Sequence, residues 1–169
     1  MENKKSFKPS IKDYNIISDE KADFIYKHSR DYLLETIKTY ELLQNKITVL
    51  LGFILFLNSV LFISKTIIDI KDNAMIPVII LSYSFIAVYL LIGGFLPKKH
   101  GFIGNEPRNL LKQEFIEQDI RFIKISETIN YQSVIDNNIE KNKKLSDCLM
   151  ISTYLVVTPI VCTIIYCLL

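Results

Sequence analysis

The sequence predicts an all-α membrane protein with three transmembrane helices, two of them continuous with amphipathic cytoplasmic helices that form a stalk. Three observations carry this. The runs 47–64, 75–96 and 149–169 contain no Asp, Glu, Lys or Arg. The charges are gathered between them: nine Lys/Arg in residues 1–46, two in 65–74 and nine in 97–148. The segments that lead into the first and third runs, 18–46 and 108–148, are free of Gly and Pro and show helical spacing of their apolar residues. The chain is 50% hydrophobic and 22% charged with only five Gly, which excludes a disordered or collagen-like chain.

The first run, Ile47 to Ser64, would cover about 27 Å as a helix, close to the hydrocarbon thickness of a bilayer. The second, Met75 to Leu96, and the third, Leu149 to Leu169, are each long enough to cross as well. Lys38 and Lys46 precede the first run, Lys98, Lys99 and Arg108 follow the second, and Lys141, Lys143 and Lys144 precede the third. In the 65–74 connection, Lys65 and Lys71 are opposed by Asp69 and Asp72. The positive-inside rule therefore puts the N-terminus and the long 97–148 segment in the cytoplasm and the C-terminus outside. The polar 1–46 segment has no hydrophobic leader with a small-residue cleavage site, so the first run reads as an uncleaved signal anchor.

Residues 1–17 hold four lysines and one Pro without a sustained period, and read as a mobile cytoplasmic arm. Ser18 is placed to cap a helix, with Asp19, Glu20 and Asp23 in its first turns. Along that helix Ile25, His28, Tyr32, Tyr40, Leu43 and Ile47 recur at helical spacings, an apolar stripe that enters the membrane and must be covered in its cytoplasmic half. The expected cover is a helix from Gln113 to Ser146, its start capped by Asn105 with Glu106 and Pro107 in the first turn. Glu117–Arg121 and Glu140–Lys144 are favourable i, i+4 pairs on it. The Gly/Pro-containing linker Pro97 to Pro107 turns the chain between the second span and this helix.

Within the spans the informative residues are polar but uncharged. Asn58 presents an amide that a neighbouring helix or interfacial water must satisfy. Ser84, Ala87, Leu91 and Gly94 share one face of the second span, and Ser152, Val156, Pro159 and Thr163 one face of the third. These faces are either a pore lining or seams for helix packing. Pro159 also deprives the Leu155 carbonyl of its usual donor.

With no Asp, Glu, Lys or Arg inside the runs, a proton relay, voltage sensor or ion-coupled transporter is disfavoured. Walker A, HExxH and GxSxG motifs are all missing, so no cofactor or enzymatic chemistry is expected. His28 and His100 have no neighbouring ligand set, and Cys148, Cys162 and Cys167 match no zinc spacing. Basic and acidic residues number 20 and 18, and this near balance provides no field for direct nucleic-acid binding.

From Tyr32 to Phe62, YLLETIKTYELLQNKITVLLGFILFLNSVLF, the chain resembles the small transmembrane effectors of bacterial cyclic-nucleotide antiphage systems, the Pycsar type and related CBASS-associated proteins. In those effectors a cytoplasmic helix leads through a polar turn containing a Lys into the first span. Gln44, Asn45 and Lys46 occupy that turn here, while the acidic and small residues usual around the Lys are missing. A second matching stretch runs from Tyr131 to Leu169, where the Lys-rich patch KNKKLSD feeds the last span and Tyr154 lies near its start.

The resemblance implies a homo-oligomeric effector of the bacterial inner membrane that breaches the bilayer on an infection signal, for which a cyclic nucleotide is the candidate. For such a signal, Lys98, Arg108, Lys141, Lys143 and Lys144 are the candidate phosphate contacts. Two other classes stay open: a non-enzymatic membrane adaptor or regulator that docks a cytoplasmic defence protein, and a small membrane immunity protein.

Overall fold

The computed structural model describes residues 14–67, 75–95 and 112–168, and all their regular structure is helical. A single 3-10 turn, Tyr14–Ile16, precedes α1 (Asp19–Ile67). Next comes α2 (Met75–Leu90), which ends in a π turn, Leu91–Phe95. A one-turn helix α3 (Gln113–Ile116) leads to α4 (Ile120–Leu168). Three stretches, Asp19–Ile63, Pro77–Gly94 and Ile120–Val161, contain helix long and apolar enough to cross a membrane. The protein is thus all-α with three candidate spans, two of them within helices of 49 residues each. The chain forms two compact units, Met1–Thr39 with Lys99–Lys141, and Tyr40–Lys98 with Asn142–Leu169.

In the first unit, α1 begins where its cap dictates: the Ser18 hydroxyl accepts from the Lys21 N–H at 3.4 Å, and the Ser18 carbonyl takes the Ala22 N–H at 2.9 Å. The α1 and α4 segments lie parallel, because partners advance together along both. Arg121 meets Asp19 at 3.1 Å and Lys124 meets Asp23 at 3.0 Å. Further on, the Tyr26 and Tyr131 hydroxyls approach to 3.4 Å, and the Asn138 amide donates to the Thr36 hydroxyl at 3.2 Å. Leu33, Tyr131 and Ile135 are buried between them, with Tyr26, Ile37 and Val134 packed around. Burial, then the Tyr26 hydroxyl, push the Tyr131 hydroxyl well above the ordinary phenol range.

Three sequence expectations are corrected in this unit. The N-terminal arm does not stay free as far as Ile17: the Tyr14–Ile16 turn buries Ile17 against Ala22 and Ile125, with Tyr14 and Ile129 alongside. Residues 1–13 lie outside the described residues. The α1 stripe is also displaced. Ile25, His28 and Tyr32 are exposed, and the buried positions are Ala22, Leu33 and Thr36, with Tyr26 half-buried. With half-buried Ser29 these recur at steps of four, three, four and three, the heptad spacing of paired helices, and the polar and small members hide the register from a hydropathy reading.

The helix expected from Gln113 to Ser146 is broken at 117–119. Asp119 caps a new start: its carboxylate accepts the Arg121 N–H at 2.8 Å and its carbonyl the Ile123 N–H at 3.1 Å. Arg121 therefore pairs with Asp119 and Asp19 rather than Glu117, and Glu117 accepts from the Gln113 amide at 2.7 Å. The expected Asn105 cap lies outside the described residues.

These ionic contacts make the first unit acid-sensitive. The ammonium groups of Lys27 and Lys124 hold the Asp23 carboxyl below its ordinary 3.8, and the Arg121 guanidinium and N–H do the same for Asp119. Both groups are solvent-exposed, so each effect is modest. Their stabilisation is present above 3.8 and lost as pH falls through the lowered folded values. Glu127 has the opposite sign: burial raises its carboxyl above 4.5, so its contribution declines as pH rises through that range. Amide protection of residues 19–39 and 120–141 is therefore expected to weaken below about pH 4, and Asp23→Asn to flatten that acid limb while Glu127→Gln leaves it in place. Hydrogen exchange followed by mass spectrometry checks both; an acid limb untouched by Asp23→Asn would remove the assignment.

In the second unit, α2 runs antiparallel to α1: Gln44 meets Gly94 while Asn58 meets Ser84. Ile47 and Ile54 of α1, Tyr83, Ile86, Ala87 and Leu90 of α2, and Leu145, Cys148 and Val156 of α4 form one core. Cys148 is buried there and takes part in no disulfide. Outside that core the helices present large apolar side chains to their surroundings, Phe56, Phe62 and Phe85 among them, which suits lipid rather than water.

Candidate functional site

The chemistry available in the second unit is hydrogen bonding inside an apolar bundle. Asn58 of α1 reaches α2, its amide donating to the Ser84 hydroxyl at 3.4 Å, and Ser84 donates back along its own helix to the Ile80 carbonyl at 2.8 Å. The Asn58 Oδ1 atom is buried and has no hydrogen-bond partner among the described residues. Ser152 of α4 is fully buried, and its Oγ is likewise unpartnered. Leaving such groups unmatched away from water costs about 1–3 kcal/mol each.

Pro159 interrupts the backbone ladder of α4. Nearby, the Tyr83 hydroxyl of α2 donates to the Val156 carbonyl at 3.4 Å. Pro159 and Tyr83 also line an apolar cavity of about 270 Å³ with Leu57, Leu61, Ile79 and Ile160. Thr163, on the same predicted face, belongs to α4, but its side chain is outside the described residues.

At the other end of α2 two glycines allow close approach. A Cβ on Gly94 would stand 2.7 Å from the Ile47 Cδ1 atom, and one on Gly93 2.7 Å from the Cys148 Sγ. The Gln44 amide donates at 2.7 Å both to the Gly94 carbonyl and to the Tyr40 hydroxyl, satisfying a carbonyl at the end of the helix. The expected face Ser84, Ala87, Leu91 and Gly94 is therefore only partly the packing face. Ala87 and Gly94 are buried, whereas Ser84 and Leu91 are exposed. The buried positions Tyr83, Ala87, Leu90 and Gly94 recur at steps of four, three and four, so Leu90 rather than Leu91 precedes Gly94 on the buried side, and the π turn over Leu91–Phe95 begins only after that register is set.

The first unit has its own buried polar layer. Asn138 is fully buried, donates to Thr36, and leaves its Oδ1 without a partner; Thr36 itself donates to the Leu33 carbonyl at 2.7 Å. A single Asn on a helix-pair seam favours one register at some cost in stability. Sequence reasoning missed Thr36, Asn138 and Gly93, and placed Gln44 only in the polar turn before the first span, without its contact to Gly94; the alternating four-three spacing through Leu33, Thr36 and Tyr40 and through Ile135, Asn138 and Asn142 was the signal available.

Of the proposed phosphate contacts, Lys98 and Arg108 lie outside the described residues. Lys141 is half-buried in the first unit, and Lys143 and Lys144 are exposed in the second, spread around α4 by the helical step of about 100° per residue. Among the described residues no group of three or more His, Cys, Asp or Glu could hold a metal ion. Comparison with protein-family models, curated proteins and solved structures yields no match to this chain.

Proposed function

We propose that the protein is a membrane effector of antiphage defence, which oligomerises and permeabilises the bacterial inner membrane when an infection signal reaches its cytoplasmic part. The observation that supports this reading is the pair of unpartnered polar atoms, Asn58 Oδ1 and Ser152 Oγ, among helices whose remaining surface is largely apolar. In a resting protein they stay turned inward. In an assembled one they gain partners from neighbouring copies or from water along a conducting path, so activation lowers their desolvation cost.

Because α1 and α4 each contribute residues to both units, a signal at the first unit has a covalent route to the spans. The signal in this proposal is a cyclic nucleotide, with phosphate contacts drawn from Lys98, Arg108, Lys141, Lys143 and Lys144. A second reading, an adaptor that docks a cytoplasmic defence protein, is favoured by the aromatic residues that the first unit exposes, Phe24, Tyr32 and Phe122.

Dye-loaded liposomes containing the purified protein separate the two. The effector reading expects leakage that rises with one member of a cyclic-nucleotide panel and falls when Asn58→Leu and Ser152→Ala are combined. Sealed vesicles under every nucleotide would overturn it in favour of the adaptor.

A further inference from the structure

Beside the start of the first apolar run, α1 and α4 frame an open groove of about 570 Å³ that the proposed activity does not use. Its floor and walls are apolar, Val49 and Phe53 from α1 facing Leu149 and the methyl-bearing Thr153 from α4. Its mouth is polar, formed by Asn45 and Lys46. The Lys46 side chain is exposed, and its ammonium makes no ion pair or hydrogen bond among the described residues. From Lys46 to Phe53 the helix descends about 10 Å, so the groove has a cation at one end and hydrocarbon below it.

We propose that this groove binds one anionic phospholipid, the headgroup phosphate on Lys46 and Asn45 and an acyl chain along Val49, Phe53 and Leu149. The inference rests on α1 crossing a membrane with Lys46 at its polar boundary, not on the effector activity. Charge complementarity selects this occupant over a second copy of the chain. An apolar helix laid in the groove would cover Lys46 without supplying a counter-charge, and a desolvated, unpaired ammonium is strongly unfavourable. A lipid phosphate supplies the charge while its chain covers the floor. A zwitterionic lipid matches the floor but cancels much of the headgroup attraction, so discrimination between lipids should depend on Lys46.

The chain contains no Trp, so one introduced indole is a unique reporter. Leu42, which lines the mouth and is 61% exposed, is the position for it. Full-length Leu42→Trp protein is placed in vesicles carrying a minor fraction of lipid brominated at shallow and at deep positions of its chains, either phosphatidylglycerol or phosphatidylcholine. Phe85→Trp, on α2 and 68% exposed, is the reference away from the groove.

At Leu42→Trp the anionic quencher is expected to outcompete the zwitterionic one by about fivefold in apparent affinity, the attraction of one lysine to an anionic lipid. Lys46→Gln in that background is expected to abolish the difference, with helical content by circular dichroism unchanged. Phe85→Trp should be quenched by both lipids with no such preference. Equal quenching at Leu42→Trp, or a preference that survives Lys46→Gln, overturns the proposal. Protection of Leu42→Trp from both lipids would also overturn it and assign the groove to a second copy. If Phe85→Trp escapes quenching altogether, the membrane-spanning premise is what has failed.

Discussion

Leu33→Ala is expected to destabilise the first unit by about 3 kcal/mol, within the range for a fully buried leucine that leaves a cavity. Leu33 has no exposed surface, and among the described residues its cluster contains two other buried members, Tyr131 and Ile135. The cavity cannot be filled from within so small a core, because Tyr131 is held near Tyr26 and Ile135 already faces Leu33 across the pair. Amide protection in residues 19–39 and 120–141 should fall by two orders of magnitude or more, at about 1.4 kcal/mol per tenfold. Glu35→Ala, at an exposed position on the same helix, should change it by less than about 0.5 kcal/mol. If the two variants behave alike, Leu33 does not hold the helix pair together.

Gly94→Val should have the second large effect, about 2–3 kcal/mol, from overpacking in the second unit. Even the first added carbon would lie 2.7 Å from the Ile47 Cδ1 and 3.0 Å from its Cγ2, and Ile47 is itself fully buried. The branched side chain must push α2 away from α1, which also lengthens the 2.7 Å bond from the Gln44 amide to the Gly94 carbonyl. Ile47→Ala removes the clashing atoms, so the double variant should recover about half of the loss, a coupling that a cycle of the two substitutions measures. Gly52→Ala is the contrasting control, with nothing within 4 Å of the new carbon, and should be neutral or mildly stabilising. Unfolding in mixed micelles titrated with a denaturing detergent reads the four variants against the native protein; simple additivity of Gly94→Val and Ile47→Ala would rule out the contact as the cause.

The existence of the spans was legible because bilayer-length runs without charge have few alternatives in a chain this small. Ser18 was legible as a cap because a hydroxyl followed by acidic residues suits a helix N-terminus whatever the helix packs against. Asn58 stood out for a related reason: an amide within an uncharged run must find a partner, although the run does not name Ser84. The break at Asp119 was hidden, since Glu117 and Arg121 are equally acceptable within a helix, and only the competing bonds of Arg121 to Asp119 and Asp19 show where the helix starts. Nor could spacing alone choose between Ile25, His28 and Tyr32 and the observed Ala22, Leu33 and Thr36, because both sets repeat at helical intervals and the larger side chains are mostly in the set left outside.

The sequence by itself determined that the protein is helical, that three segments are apolar enough to cross a membrane, and that the first long helix begins at Ser18. Those are properties of composition and local bonding, which each segment expresses without reference to the others. Tertiary structure alone decided which face of each helix is buried, that Asn138 meets Thr36 and Gln44 meets Gly94, and that Lys46 borders an apolar groove. Such choices depend on the shape and unmet hydrogen bonds of residues distant in the chain, and free energies of this kind arise only when two helices come together.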